Sequence, residues 1–241
     1  MTEIILIRHG QSEWNAKNKF TGWVDSDLSE KGKLEAKYAG ELIKNTNIKI
    51  SISYTSYLRR AQETLNIILN VIGKKENLVE KAWELNERHY GSLTGLNKEE
   101  TKIKLGEETF NRYRRSWDIA PPPIEKNSQY LNKFNKQNSK IPSLKIPTTE
   151  SLKNTYDRVI PYYKETVLPQ IANGKNVLIA AHGNSLRAFC KYIFNISNEK
   201  INQLEIPTGN PMRIRLDSSC LKSIDAFYLD EKRKQKIFVN E

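Results

Sequence analysis

Cysteine is almost absent. Cys190 and Cys220 are the only two in 241 residues, and neither stands at metal-ligand spacing. Their scarcity excludes a disulfide framework and a thiolate zinc site, and it points to reduced thiols in a cytoplasmic protein. Long apolar runs are missing too, since no stretch approaches the roughly 20 residues of a membrane span. The apolar run inside MTEIILIRHGQ reads as a strand, because no basic leader or small-residue cleavage site accompanies it. Acidic residues are outnumbered, 28 Asp and Glu against 39 Lys and Arg, which leaves a formal charge of +11. No stripe of basic and aromatic residues resembles a nucleic-acid module. The excess therefore reads as solvated basic faces, with room for a site that takes a small phosphorylated anion, and no nucleic-acid partner is expected.

What is present is an alternation of strands and helices. Strands are expected at 3–7, in IKISISYTS, LVEKAWEL and NVLIAA, and near the end in PMRIRLD and SIDAFYL. Between them, SEKGKLEAKYAGELIKN has a Ser29 N-cap and helical spacing of Leu34, Tyr38, Leu42 and Ile43. A second helix, YLRRAQETLNIILNVIG, stops at Gly73. Further helices are expected near 97–105 and 107–117, in TTESLKNTYDRVIPYYKETVLPQI, and in HGNSLRAFCKYIF. This order predicts an α/β fold, one three-layer α/β/α sandwich over 1–241. Its central sheet is mainly parallel, with an antiparallel edge from the last two strands. Residues 120–148, rich in Pro, Asn and Lys, read as a lid-like surface excursion, and the tail from about 230 is charged.

Histidine is scarce as well, and two of the three follow apolar strands directly: IILIRHG places His9 and VLIAAHG places His182. In a parallel sheet both emerge at the carboxyl edge, where ligands bind. A neutral imidazole is a nucleophile near pH 7. Arg8 adds a fixed positive charge, and Arg59, at the start of the helix after another strand, is expected to add a second. Such groups suit phosphoryl transfer, which needs a nucleophile and charge stabilisation on the equatorial oxygens. Glu87, in LNERHYG, is the leading proton donor for the departing oxygen. The amides of Gly183 and Asn184 at a helix start offer an anion cradle. His89 reads as a structural residue of its loop. No His-x-x-x-His or cysteine spacing supports a metal, and none is expected.

The blocks RHGQSEWN, FTGWVDSDLSEKG, YTSYLRRA, LNERHYGSLTGLNKEET, YRRSWDIAPPP, AAHGNSLRA and IPTGNP run in order over nearly the whole chain. Together they resemble the histidine phosphatase superfamily, and within it the bisphosphoglycerate-dependent phosphoglycerate mutases. The resemblance implies a phosphoglycerate mutase-like fold and interconversion of 3-phosphoglycerate and 2-phosphoglycerate, primed by 2,3-bisphosphoglycerate without a metal. It makes His9 the phosphohistidine and Glu87 the general acid and base. His182, Arg8, Asn15 and Arg59 would stabilise the transferring group. Ser12, Thr21, Gly22, Arg88, Tyr90, Lys98, Arg114, Arg115, Gly183 and Asn184 fall on substrate-binding positions. It further implies a homodimer or homotetramer acting in glycolysis and gluconeogenesis. QYLNKFNKQNSK, MRIRLD and the charged tail EKRKQKIFVNE depart from the family pattern. A poorly covered phosphohistidine loses its phosphoryl group to water, so a phosphatase acting on a phosphorylated metabolite is the alternative.

Overall fold

The computed structural model describes residues 2–74, 78–131, 141–217 and 221–237. Among them six strands form one sheet: β1 (Thr2–Arg8), β2 (Ile50–Thr55), β3 (Leu78–Lys81), β4 (Asn176–Ala181), β5 (Met212–Leu216) and β6 (Ser223–Tyr228). The spatial order is β3-β2-β4-β1-β5-β6. The first four are mutually parallel, and β5 and β6 close the other edge antiparallel, as the element order predicts.

Two-residue periodicity divides the core between the two faces of the sheet. Ile5 and Ile7 of β1, with Leu178 and Ala180 of β4, meet α2 (Glu30–Asn45) and α3 (Arg59–Val71). Ile4 and Leu6, with Val177, Ile179 and Ala181, meet α6 (Leu152–Tyr162), α7 (Leu168–Ala172) and α8 (Gly183–Ile193). Burial on both sides explains why these strands read as continuous apolar runs. The helix expected from 148 onward is interrupted. Pro161 and Pro169 withhold two amide donors, and the chain widens into a π turn at Tyr163–Val167 between α6 and α7. A four-residue helix, α1 (Glu13–Ala16), went unforeseen because so short a segment shows no periodicity. Helices α4 (Lys98–Leu105) and α5 (Glu107–Arg115) lie where spacing puts them.

Of the excursion, the described ends pack inward: Ile124, Tyr130, Leu131, Ile141 and Ile146 surround buried Trp23. Its middle, Cys220 and the last four residues of the tail lie outside the described residues. The two arginines of the departing MRIRLD segment are paired, Arg213 with Glu3 and Arg215 with Asp225. Cys190 is buried and free. None of the described helices is long and apolar enough to cross a membrane.

Candidate active site

The parallel pairing of β1 with β4 aligns Arg8 with Ala181, so the next residue on each strand is a histidine. The His9 amide still donates to the Ala181 carbonyl, 3.0 Å away, which continues the ladder one residue beyond the strands. The two rings meet edge to face with centroids 5.0 Å apart. Beyond His9 the backbone turns against the start of α2 so closely that a Cβ on Gly10 would lie 2.2 Å from the Gly32 carbonyl oxygen. Only glycine allows that approach.

Hydrogen bonds fix the state of each ring. His9 Nδ1 donates to the Gly10 carbonyl at 2.6 Å, and Arg60 Nε donates to His9 Nε2 at 3.2 Å. Nε2 must carry the lone pair to accept that bond, so the ring is the neutral Nδ1–H tautomer. Burial, then the charges of Arg60 and Arg8, hold the His9 pKa well below the usual histidine range. Burial does the same for His182, followed by Arg60, His9 and Arg8. Ser56 Oγ lies 2.7 Å from His182 Nε2, while His182 Nδ1 is buried without a hydrogen-bond partner.

Arg59 does not reach the histidines. Its side chain is 57% exposed, and the guanidinium pairs with Asp25 and Asp27, whose carboxylates lie 2.8 Å and 2.9 Å away. The expected second arginine is its neighbour Arg60, which is 1% exposed and also donates to the carbonyls of Gly22 and Val24. Burial depresses its pKa to about 10, against the opposing pull of Glu87 and Asp25. Helical spacing holds the signal that separates the two. Arg60, Thr64 and Ile68 recur every four residues on the buried face of α3, whereas Arg59 lies off that stripe.

An inner pocket of about 330 Å³ is lined by Arg8, His9, Asn15, Thr21, Gly22, Arg60, Glu87, Tyr90 and Lys98, with Lys19, which sequence reasoning missed. Arg8, Glu87, Tyr90 and Lys98 also line an outer cleft of about 470 Å³. There they meet Arg114, Arg115, Gly183 and Asn184, together with Arg187, Glu205 and Ile206. Glu87 Oε1 accepts from the amides of Arg88 and Asn184 at 2.8 Å and 3.1 Å, which holds the carboxylate at the start of α8. Two expected residues stand behind this lining. Ser12 caps α1 and donates its amide to Asn15 Oδ1, leaving the Asn15 amide nitrogen for the pocket. Arg88 lies over the Tyr90 ring at 4.7 Å and donates to the Arg114 carbonyl. Buried His89 accepts from the Gly91 amide, and its own amide donates to Glu150, the structural part expected of it.

Sequence reasoning also missed Arg187 and Ser56. Arg187 donates to Asn184 Oδ1 at 2.9 Å, so the Asn184 amide nitrogen is left to donate to the Tyr90 hydroxyl at 3.0 Å. Burial lowers Arg187 to about 10. Lys98 drops to about 8 through burial, then through the charges of Arg114 and Arg8. The cleft is therefore strongly basic, and several donors are buried without partners, among them Arg8 Nε and the Thr21 hydroxyl. Chemically, it combines a neutral nucleophilic nitrogen, a carboxyl group within the same pocket, and fixed positive charge at both ends.

The family model of the histidine phosphatase superfamily (branch 1) matches residues 4–141 and 123–224. A curated 2,3-bisphosphoglycerate-dependent phosphoglycerate mutase from Pelagibacter ubique (strain HTCC1062) is 52% identical over 240 residues, 99% of this chain and all of the relative. Among solved structures, a mycobacterial glucosyl-3-phosphoglycerate phosphatase with bound VO3 superposes with a TM-score of 0.71 at 20% identity, over 95% of this chain and 98% of that one. A putative α-ribazole-5′-P phosphatase from Escherichia coli K-12 gives 0.67 at 16% identity, over 92% and 94%. The structural likenesses speak for the fold, and the sequence matches for descent. The chain belongs to the histidine phosphatase superfamily, branch 1, in the family of the bisphosphoglycerate-dependent phosphoglycerate mutases.

Proposed function

We propose that this protein interconverts 3-phosphoglycerate and 2-phosphoglycerate through a phosphohistidine on His9 and a 2,3-bisphosphoglycerate intermediate. The observation that carries this reading is the continuity of the two cavities. One end presents the His9 Nε2 lone pair, the other presents Arg114 and Arg115, and Arg8, Glu87, Tyr90 and Lys98 belong to both. A small molecule with an anion at each end suits that arrangement. The unpartnered Arg8 Nε, Thr21 Oγ1 and His182 Nδ1 are donors suited to anionic oxygens, so the residues present fit the primer. When bound, 2,3-bisphosphoglycerate supplies the phosphoryl group that first loads His9.

Arg60 passes its hydrogen bond from His9 Nε2 to a phosphoryl oxygen, Nε2 forms the bond to phosphorus as the bond to the departing oxygen breaks, and the carboxylic acid form of Glu87 gives that oxygen its proton. Arg8, Arg60 and His182 meet the charge on the equatorial oxygens. In the return direction Glu87 takes the proton of the accepting hydroxyl while phospho-His9 releases its group. Arg114, Arg115 and Lys98 hold the far end of the ligand, so either phosphoryl group can be presented to His9 after the ligand turns. A cytoplasmic assembly of two or four copies belongs to the same proposal, and sedimentation of the purified protein tests the copy number.

The test is a coupled assay on 3-phosphoglycerate, with and without trace 2,3-bisphosphoglycerate, that follows 2-phosphoglycerate and free phosphate together. Isomerisation that needs the bisphosphate and disappears in His9→Ala supports the reading. Phosphate release without isomerisation replaces it with the phosphatase alternative.

A further inference from the structure

Among the residues that line the outer cleft, five are cationic and two are acidic. Glu87 has a place in the chemistry above. Glu205 has none, and an unassigned carboxylate in the wall of an anion site requires a reason, because it repels the ligand. Two hydrogen bonds fix the backbone here: the Tyr228 hydroxyl donates to the Glu205 carbonyl at 3.2 Å, and Arg8 Nη1 donates to the carbonyl of the next residue, Ile206, at 2.8 Å. The side chain is thereby held at the rim, where Oε1 pairs with Arg115 Nη2. Both groups retain solvent contact, 48% for the Glu205 side chain and 24% for that of Arg115. A pair this exposed is weak and exchangeable. Glu205 also offsets the crowding of positive charge on Arg114 and Arg187, each depressed first by burial and then by Arg115.

We propose that Glu205 is a positioning residue, a resident counter-ion that holds Arg115 at the rim until the carboxylate of an incoming phosphorylated acid replaces it. This rests on the reading of the cleft as a site for such an acid. The exchange is of like for like, since an arginine fork meets either carboxylate in the same way. A simple phosphate or sulfate bound near His9 gains nothing from the far end, because Arg115 is already occupied. Glu205 therefore weakens most the acid that must displace it from Arg115, while an anion confined to the His9 end meets only the repulsion of one partly solvated charge.

The experiment compares the full-length protein with Glu205→Gln, and with both repeated in an Arg115→Gln background. Sulfate and 3-phosphoglycerate are titrated separately by calorimetry at fixed ionic strength, and KM and kcat are measured in parallel. Glu205→Gln is expected to tighten 3-phosphoglycerate about three- to tenfold and sulfate by less, since only the acid has to displace the resident carboxylate from Arg115. KM should fall without a rise in kcat, and the gain should vanish in the Arg115→Gln background. Unchanged or weaker 3-phosphoglycerate binding in Glu205→Gln, a gain for sulfate as large as that for 3-phosphoglycerate, or a gain that survives without Arg115 overturns the proposal. Absence of isomerase activity in the unmodified protein defeats the functional reading instead, and the paired binding titrations still decide the role of Glu205.

Discussion

Arg60 Nε donates to the nitrogen of His9 that would attack phosphorus, at 3.2 Å, while the adjacent Arg59 turns outward to Asp25 and Asp27. Two neighbours of one residue type thus have opposite fates, and substitution separates them. Arg60→Ala removes a preorganised donor from the charged centre and is expected to lower kcat by about 100- to 1,000-fold. Arg59→Ala loses two ion pairs outside the pocket, keeps the backbone amide that donates to Asp25, and should stay within about threefold of the unmodified protein in kcat. Steady-state kinetics of the two variants check both, and equal losses would contradict the assignment.

Ser56 supports His182 from behind. Its Oγ lies 2.7 Å from His182 Nε2 and also accepts the Leu58 amide at 3.1 Å, which ties the ring to the start of α3. With the hydroxyl donating to Nε2, the ring proton sits on Nδ1, the atom buried without a partner. Ser56→Ala leaves the ring in place without its tautomer fixed. We expect kcat to fall about tenfold with KM nearly unchanged. A change confined to KM would mean that Ser56 shapes binding rather than the transferring centre.

Most of the framework was legible because local patterns and tertiary burial agree. Ile4 to Ile7 and Val177 to Ala181 are apolar at every position, and the sheet buries both of their faces. The two strand-end histidines were legible for the same reason, since a strand that ends in His-Gly can project the ring only at the sheet edge. Arg59 was misassigned where sequence adjacency was weighed and helical phase was not. Ser56 and Arg187 left no signal of their own. Their roles arise from contacts spanning 126 residues for Ser56 with His182, and from a turn of α8 seen only once Asn184 is placed.

All three histidines are held neutral by burial, and this has a direct consequence for acid stability. The folded-state pKa of His89 is about 4, and those of His9 and His182 also lie well below the ordinary value. In the unfolded chain each titrates near 6.5, so below that pH the unfolded state binds protons that the folded state refuses. The stabilisation is complete above about pH 6.5 and is lost as pH falls toward the folded-state values. Each histidine contributes a slope of up to about 1.4 kcal/mol per pH unit. Urea unfolding at pH 7, 6 and 5 in a phosphate-free buffer measures it. A midpoint that does not move across that range would be inconsistent with buried neutral rings.

Lys98 gives the corresponding limb on the alkaline side. Burial comes first among its perturbations, followed by the charges of Arg114 and Arg8, and together they bring its pKa to about 8. It lines both the inner pocket and the outer cleft, so its charge serves ligand binding from either end. As pH rises through 8 the free enzyme loses that charge. The expected outcome is that kcat/KM declines above pH 8 while kcat, which reports the occupied enzyme, stays level to higher pH. Lys98→Arg keeps the charge throughout this range, although the guanidinium does not reproduce the ammonium geometry. Its kcat/KM should therefore be lower at pH 7 and flat where the unmodified protein declines. The crossing of the two profiles is the diagnostic result. If the alkaline limb persists unchanged in Lys98→Arg, another group carries it, and the depressed lysine has no part in holding the ligand.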